Sequence, residues 1–247
     1  MSIKYITICI LILSNVGISF SQKTLKDNQK EGYIIMADGS RSEVAIEVED
    51  ATQPWTYQEG IKYYDRALLT GARVKRELKK SLIAGEIIEY GFGDRRFIFV
   101  SYHVKNKGDD VLKSTVEKIK GDKNSDFFAE IVTDSKIRLL KFYQPPVITD
   151  ADYDDEALLK KITDEAKENF DILISREGIA AKSIQEINYK TFFEDCPAVV
   201  KKFDDKRYKI QPVSGIKKLL KSEGLTGPKL ELAAKTIVDD YTLKCGK

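Results

Sequence analysis

Apolar and polar residues alternate strictly from Ser42 to Glu49, with Val44, Ile46 and Val48 on one side and Glu43, Glu47 and Glu49 on the other. That period of two is the signature of a strand with one wetted face. A short apolar run, Tyr33 to Met36, precedes it, and Asp38-Gly39 between the two supplies a tight turn. The spacing therefore predicts a β-hairpin. Two further hairpins are expected, one with strands at 86–92 and 96–104 around Gly93-Asp94, the other with strands at 127–133 and 136–143 around Asp134-Ser135. Trp55, Tyr57, Tyr63 and Tyr64 mark another strand or two with aromatic packing. Residues 66–84 fit neither period; their basic stretch from Arg73 to Lys80 reads as an exposed helical turn or as a loop. A short helix is expected at 111–119, inside the charged, glycine-punctuated stretch 106–126.

Pro145-Pro146 ends the β pattern, since neither residue donates to a strand ladder. Leu159, Ile162, Ala166 and Phe170 then fall at helical spacing, with Asp and Glu crowding the first turn where the helix dipole favours them. Residues 171–175 look like one more strand and 178–183 like a turn or return strand. Residues 188–203 read as a helix in two pieces, the second opened by Cys196-Pro197 and capped by Asp195. A short helix at 214–220 follows. Pro228 opens the last helix, whose Leu230, Ala234, Ile237, Val238 and Tyr241 share one stripe, as a core-facing helix requires. The pattern as a whole predicts an α+β protein: an antiparallel β-rich N-terminal portion at 32–146, then a mainly helical C-terminal portion at 150–247 packed on it.

The N-terminus changes the picture of where this chain works. Lys4 precedes an apolar run from Tyr5 to Phe20, interrupted by Ser14 and Asn15, and Ser19 and Ser21 stand at the small-residue positions before Gln22. This describes a cleavable secretory signal at 1–21 rather than an anchor, followed by a polar, flexible leader at 22–31. The expected product is secreted or periplasmic, without a membrane span. Cys196 and Cys245 survive cleavage, and an oxidising compartment lets two thiols pair. The spacing alone leaves a bridge and two free thiols equally open. A net charge of +2 with both signs interspersed gives no electrostatic case for nucleic acid or an anionic membrane as partner.

Candidate chemistry is sparse. His103 is the sole histidine, so no multi-histidine metal site exists, and no G-x-S-x-G elbow accompanies it; a strand residue is the simpler reading. Asp150, Asp152 and Asp154 stand at positions one, three and five of a calcium-type loop. Asp155, however, occupies the place of the turn glycine, and Lys161 that of the bidentate glutamate. An acidic helix start is the better account of these carboxylates. Gly91-Phe92-Gly93 lies between strands rather than before a helix and fits a hairpin corner better than a phosphate cradle. Glu86, Glu89 and Asp94 are carboxylates of the kind a glycosidase pairs, but sequence spacing does not give their separation. Trp55, Tyr57, Tyr63 and Tyr64 line a groove or, more commonly, a core. These readings nominate no catalytic residue, no metal ligand and no cofactor.

Several short phrases together resemble a family of exported proteins of unknown function from Bacteroidetes-type bacteria. They are the signal end Ser19-Phe20-Ser21-Gln22, the opening strand and turn Gly32-Tyr33-Ile34-Ile35 with Asp38-Gly39, the run from Tyr90 to Phe97, and Phe192-Phe193-Glu194-Asp195-Cys196-Pro197. The likeness spans most of residues 1–210 and implies compartment and architecture; it supplies no activity and no site residues. Three functions are therefore weighed: a non-catalytic exported protein that binds an envelope partner, protein or small molecule; a carboxylate-based hydrolase, with or without His103; and a calcium-stabilised module on Asp150, Asp152 and Asp154.

Overall fold

A computed structural model describes residues 25–48, 53–66, 69, 79–83, 86–102, 125–211 and 225–246. The signal at 1–21, His103, the expected helices at 111–119 and 214–220, and most of the basic stretch before Lys79 lie outside the described residues. Among the described residues ten strands form one antiparallel sheet: β1 (Gln29–Met36), β2 (Arg41–Glu47), β3 (Gly60–Asp65), β4 (Lys79–Ile83), β5 (Ile87–Phe92), β6 (Arg95–Tyr102), β7 (Ser125–Asp134), β8 (Ile137–Tyr143), β9 (Phe170–Arg176) and β10 (Ile179–Ser183). Their spatial order is β10-β9-β8-β7-β6-β5-β1-β2-β3-β4. Among the described residues four helices accompany them: α1 (Glu156–Glu168), α2 (Tyr189–Phe192), α3 (Pro197–Asp204) and α4 (Gly227–Cys245).

The three predicted hairpins are present as β1–β2, β5–β6 and β7–β8. Gly39 and Gly93 turn the first two corners. β1 starts earlier than expected: Gln29, Lys30 and Glu31 pair with β2, so part of the stretch read as a leader is sheet. Aromatic packing around residue 55 begins with a 3-10 turn, Pro54–Tyr57, and continues into β3. Lys79 and Lys80, read as the end of a helical turn or loop, open β4 against Tyr64 and Tyr63 of β3. Gly91 is no corner; it lies within β5 directly opposite Tyr33. A Cβ there would come within 2.7 Å of the Tyr33 ring, so the missing side chain is what lets that ring lie across the strand.

The sheet does not end at Pro145-Pro146. The C-terminal portion is only partly helical, because β9 returns on β8 over its whole length and β10 follows it. The strand is buried on both faces at 172–174: Phe170, Ile172 and Ile174 enter one core and Leu173 another. A strand with two buried faces is satisfied only inside a sheet. Phe170, expected on the α1 stripe, instead begins β9, since the chain leaves the helix at Asn169 and Phe170 pairs with Tyr143.

Along β6 and β7 alternate side chains enter different cores. Phe97 and Phe128 join an N-terminal cluster with Ile46, Ile87 and Tyr90, in which Tyr90 stacks on Phe97 at 4.8 Å and meets Phe128 edge-on at 4.9 Å. Val100, Phe127 and Ala129 pack on the opposite face with Leu140, Phe142 and Leu173. β10 comes back close to β6, so this end of the sheet curls around that second cluster. The largest cluster lies under the helices: Leu230, Ala234, Ile237, Val238 and Tyr241 of α4, the predicted stripe, pack with Leu139, Ile172, Ile174, Phe193, Val199 and Phe203. Among the described residues no helix is long and apolar enough to cross a membrane.

Candidate functional site

Phe97, Glu130, Lys141 and Ile172 are register partners in one row across β6, β7, β8 and β9. Phe97 belongs to the N-terminal core and Ile172 to the core beneath the helices, so Glu130 and Lys141 occupy a charged seam between two apolar clusters. Arg95, two residues before Phe97, grips Glu130 with both forks of its guanidinium, Nε to Oε1 at 2.8 Å and Nη2 to Oε2 at 3.0 Å. The Tyr143 hydroxyl donates to the same Oε2 at 2.9 Å. Lys141 pairs with Glu231 of α4 at 2.9 Å, and Lys235 reaches that carboxylate at 2.7 Å. The guanidinium of Arg95 also lies 5.0 Å from the Phe97 ring centre and 5.4 Å from that of Tyr57, and Lys141 lies 4.7 Å from that of Phe170.

One buried amide fastens the seam to the Pro54–Tyr57 turn. Gln58 accepts from the Tyr143 backbone N–H at 2.6 Å and donates through Nε2 to the Tyr143 carbonyl at 2.8 Å. Its own carbonyl accepts from Phe128 N–H at 2.7 Å. The Tyr90 hydroxyl donates to the Tyr57 carbonyl from the core below. The Gln58 side chain thus pairs with both backbone groups of Tyr143 in β8, while its own carbonyl is bonded from Phe128 in β7.

The electrostatics fix protonation states rather than poise them. Burial works against charge on Glu231, but the bonds and charges of Lys235 and Lys141 outweigh it and hold the carboxyl below its ordinary range. Burial, with Glu130 alongside, raises the Tyr143 phenol above its usual value. At neutral pH Tyr143 is thus a neutral donor and Glu231 an ionised acceptor. A general acid or base needs a pKa near the working pH, and these two groups are driven away from it.

Two more polar knots lie elsewhere on the sheet. Tyr33 donates to Glu89 at 2.6 Å, Arg96 reaches Glu89 at 3.0 Å and Asp134 at 2.8 Å, and Arg138 reaches Asp134 at 3.0 Å. Asp195 accepts from Arg176 at 2.8 Å and from the Tyr241 hydroxyl at 2.6 Å. Asp195 therefore does not cap α3; the N-cap is Cys196, which makes no side-chain cap bond.

The residues singled out from the sequence are scattered. Glu86 and Asp94 are exposed at opposite ends of β5 while Glu89 is bound to Tyr33 and Arg96, so the three do not form one site. Tyr57, Tyr63 and Tyr64 are buried and Trp55 is half-buried against the helix-covered core. Asp150, Asp152 and Asp154 fall in a 3-10 turn; Asp152 accepts from both N–H and hydroxyl of Thr149 at 2.7 Å, and Asp155 caps α1 through Leu158 N–H at 3.0 Å. Those bonds are helix-start chemistry, and among the described residues no group of three or more His, Cys, Asp or Glu side chains is placed to hold a metal ion. Cys196 and Cys245 are joined as a disulfide.

Sequence reasoning missed Arg95, Glu130, Tyr143, Gln58 and Glu231. One signal was present: Glu130 shares a strand face with Phe128, so a carboxylate stands where the period calls for an apolar side chain. No family model matches the chain, and no curated protein or solved structure matches it either.

Proposed function

We propose that this chain is exported by its N-terminal signal, is cleaved near Ser21, and works outside the cytoplasm as a non-catalytic protein that binds a protein partner. The observation that carries the binding reading is the excursion between β8 and β9. Residues 144–165 have no fully buried side chain among those described, yet they are built as a 3-10 turn and a helix. Val147, Tyr153 and Leu158 stand 87%, 64% and 39% exposed there. Val147 precedes the 3-10 turn, Tyr153 lies in it and Leu158 in α1; large apolar side chains left exposed along one segment that packs on little else are what a partner covers. Asp150, Asp152, Asp154, Asp155 and Glu156 intersperse them, with no cation before Lys160, so the complementary face is apolar and basic.

The paired, ionised state of Glu231 and the neutral state of Tyr143 support binding over carboxylate hydrolysis. The Cys196–Cys245 bridge supports export, because such bonds persist in oxidising compartments. A triple variant, Val147→Ser, Tyr153→Ser and Leu158→Ser, tests the reading. Wild-type chain immobilised as bait in periplasmic extract is expected to retain a species, released by raised salt, that the variant of unchanged thermal stability does not. Equal retention by both, or none by either, overturns it.

A further inference from the structure

Two rungs tie the end of α4 to the corner before α3. The covalent rung joins Cys196, fully buried at the α3 N-cap, to Cys245, half-buried in the last turn of α4. The polar rung lies one residue before the first cysteine and four before the second: Tyr241 Oη donates to Asp195 Oδ2 at 2.6 Å. Residues four apart share a helix face, so whatever fixes Tyr241 also fixes the direction in which Cys245 points. Asp195 is itself anchored. Its Oδ1 accepts from Arg176 Nη1 at 2.8 Å, Lys136 Nζ lies 3.6 Å from Oδ2, and the same Arg176 nitrogen donates to the Phe192 carbonyl at 2.8 Å.

We propose that the bridge is a redox latch on the C-terminal helix and that Asp195 and Tyr241 are its positioning residues, holding α4 in the register where Cys245 meets Cys196. The latch opens by reaction with a dithiol. One thiolate of the dithiol attacks Cys245 Sγ, the less buried sulfur; the S–S bond breaks and its electron pair leaves on Cys196 Sγ, which takes a proton. The second thiol of the dithiol then attacks the mixed disulfide, releases Cys245 as a thiol and leaves the dithiol oxidised to its own disulfide. Two electrons and two protons pass to the protein. The polar rung survives this step and keeps the thiols aligned for reclosure. Because rung and bridge favour the same arrangement, each strengthens the other by the same factor.

The test is the thiol–disulfide equilibrium of the full mature chain in dithiothreitol redox buffer, read by thiol alkylation and mass. Tyr241→Phe and Asp195→Asn are each expected to lower the effective concentration of the cysteine pair about tenfold, the worth of one hydrogen bond to a charged group. Tyr208→Phe is the control. It removes a phenol bond of 3.0 Å to Asp240 on the same helix, a residue off the face that Tyr241 shares with Cys245, and is expected to leave the equilibrium unmoved. An unchanged equilibrium in Tyr241→Phe, or an equal shift in Tyr208→Phe, overturns the assignment. Should Asp195→Asn fail to fold, the comparison of Tyr241→Phe with Tyr208→Phe decides alone.

Discussion

Glu130 shows what a single charged side chain demands when a strand carries it between two cores. Its two oxygens take three donors, two from Arg95 and one from Tyr143, and removing the carboxylate leaves the half-buried guanidinium without its partner. Breaking such a pair from one side costs about 3 kcal/mol. Glu130→Ala is therefore expected to lower unfolding free energy by roughly that amount in urea titration, while Tyr143→Phe, which leaves the ion pair intact, costs about 1 kcal/mol. A smaller loss for Glu130→Ala than for Tyr143→Phe contradicts the assignment of the seam as a structural joint.

The helices are held at their ends by features that sequence patterns do not show. Gly227 starts α4 with φ of 57°, and a Cβ there would sit 1.9 Å from the Glu168 carbonyl oxygen at the end of α1. Both the left-handed backbone and the close approach exclude a side chain. Gly227→Ala is expected to cost at least about 2 kcal/mol, read as a drop in urea midpoint at constant slope; a neutral effect rules out the contact between the two helix ends. At the other end of α4, the bridge closes across a sequence separation of 49. In the chain-entropy account a loop of that size contributes about 4 kcal/mol. The Cys196→Ala, Cys245→Ala double variant is expected to lose stability of that order in denaturant titration. A loss well under 1 kcal/mol removes the bridge from the list of what holds α4.

For the whole molecule, acid is the condition that separates the folded from the unfolded chain most directly. Burial opposes charge on Asp134, Asp195, Glu231 and Asp240. Hydrogen bonds and cations, from Arg96 and Arg138, from Tyr241 and Arg176, from Lys235 and Lys141, and from Lys202 and Tyr208, outweigh it and depress all four pKa values. In the unfolded chain these groups regain ordinary values near 4, so around that pH the unfolded state binds more protons and stability rises with pH. The contribution is complete above about pH 4 to 5 and is lost as pH falls through the folded values. Thermal unfolding at pH 7 and pH 3 is expected to show a clearly lower midpoint in acid, with a smaller difference in an Asp195→Asn, Glu231→Gln variant. An equal or higher midpoint in acid refutes the depressed values.

What the sequence by itself determined is local. The strand and apolar side of 42–48, the turn dipeptides at 38–39, 93–94 and 134–135, and the apolar stripe of α4 depend only on neighbours a few residues away, and each has its counterpart in the structure; the face of β2 expected to be wetted is instead buried at Ala45, which packs with Tyr64 and Leu69, because β3 brings a second apolar cluster against it. Glu130 stood out against its strand's period, but nothing local named Arg95 or Tyr143 as its partners. Those distant choices belong to the tertiary structure: that β9 and β10 extend the sheet past Pro145-Pro146, that Phe97 and Ile172 bracket Glu130 and Lys141 in one row, that Gln58 reaches Tyr143, and that Cys196 meets Cys245. The physical reason is the range of the forces. Backbone period and turn chemistry act along the chain, whereas register, burial and charge pairing are settled only when segments far apart in sequence compete for the same face.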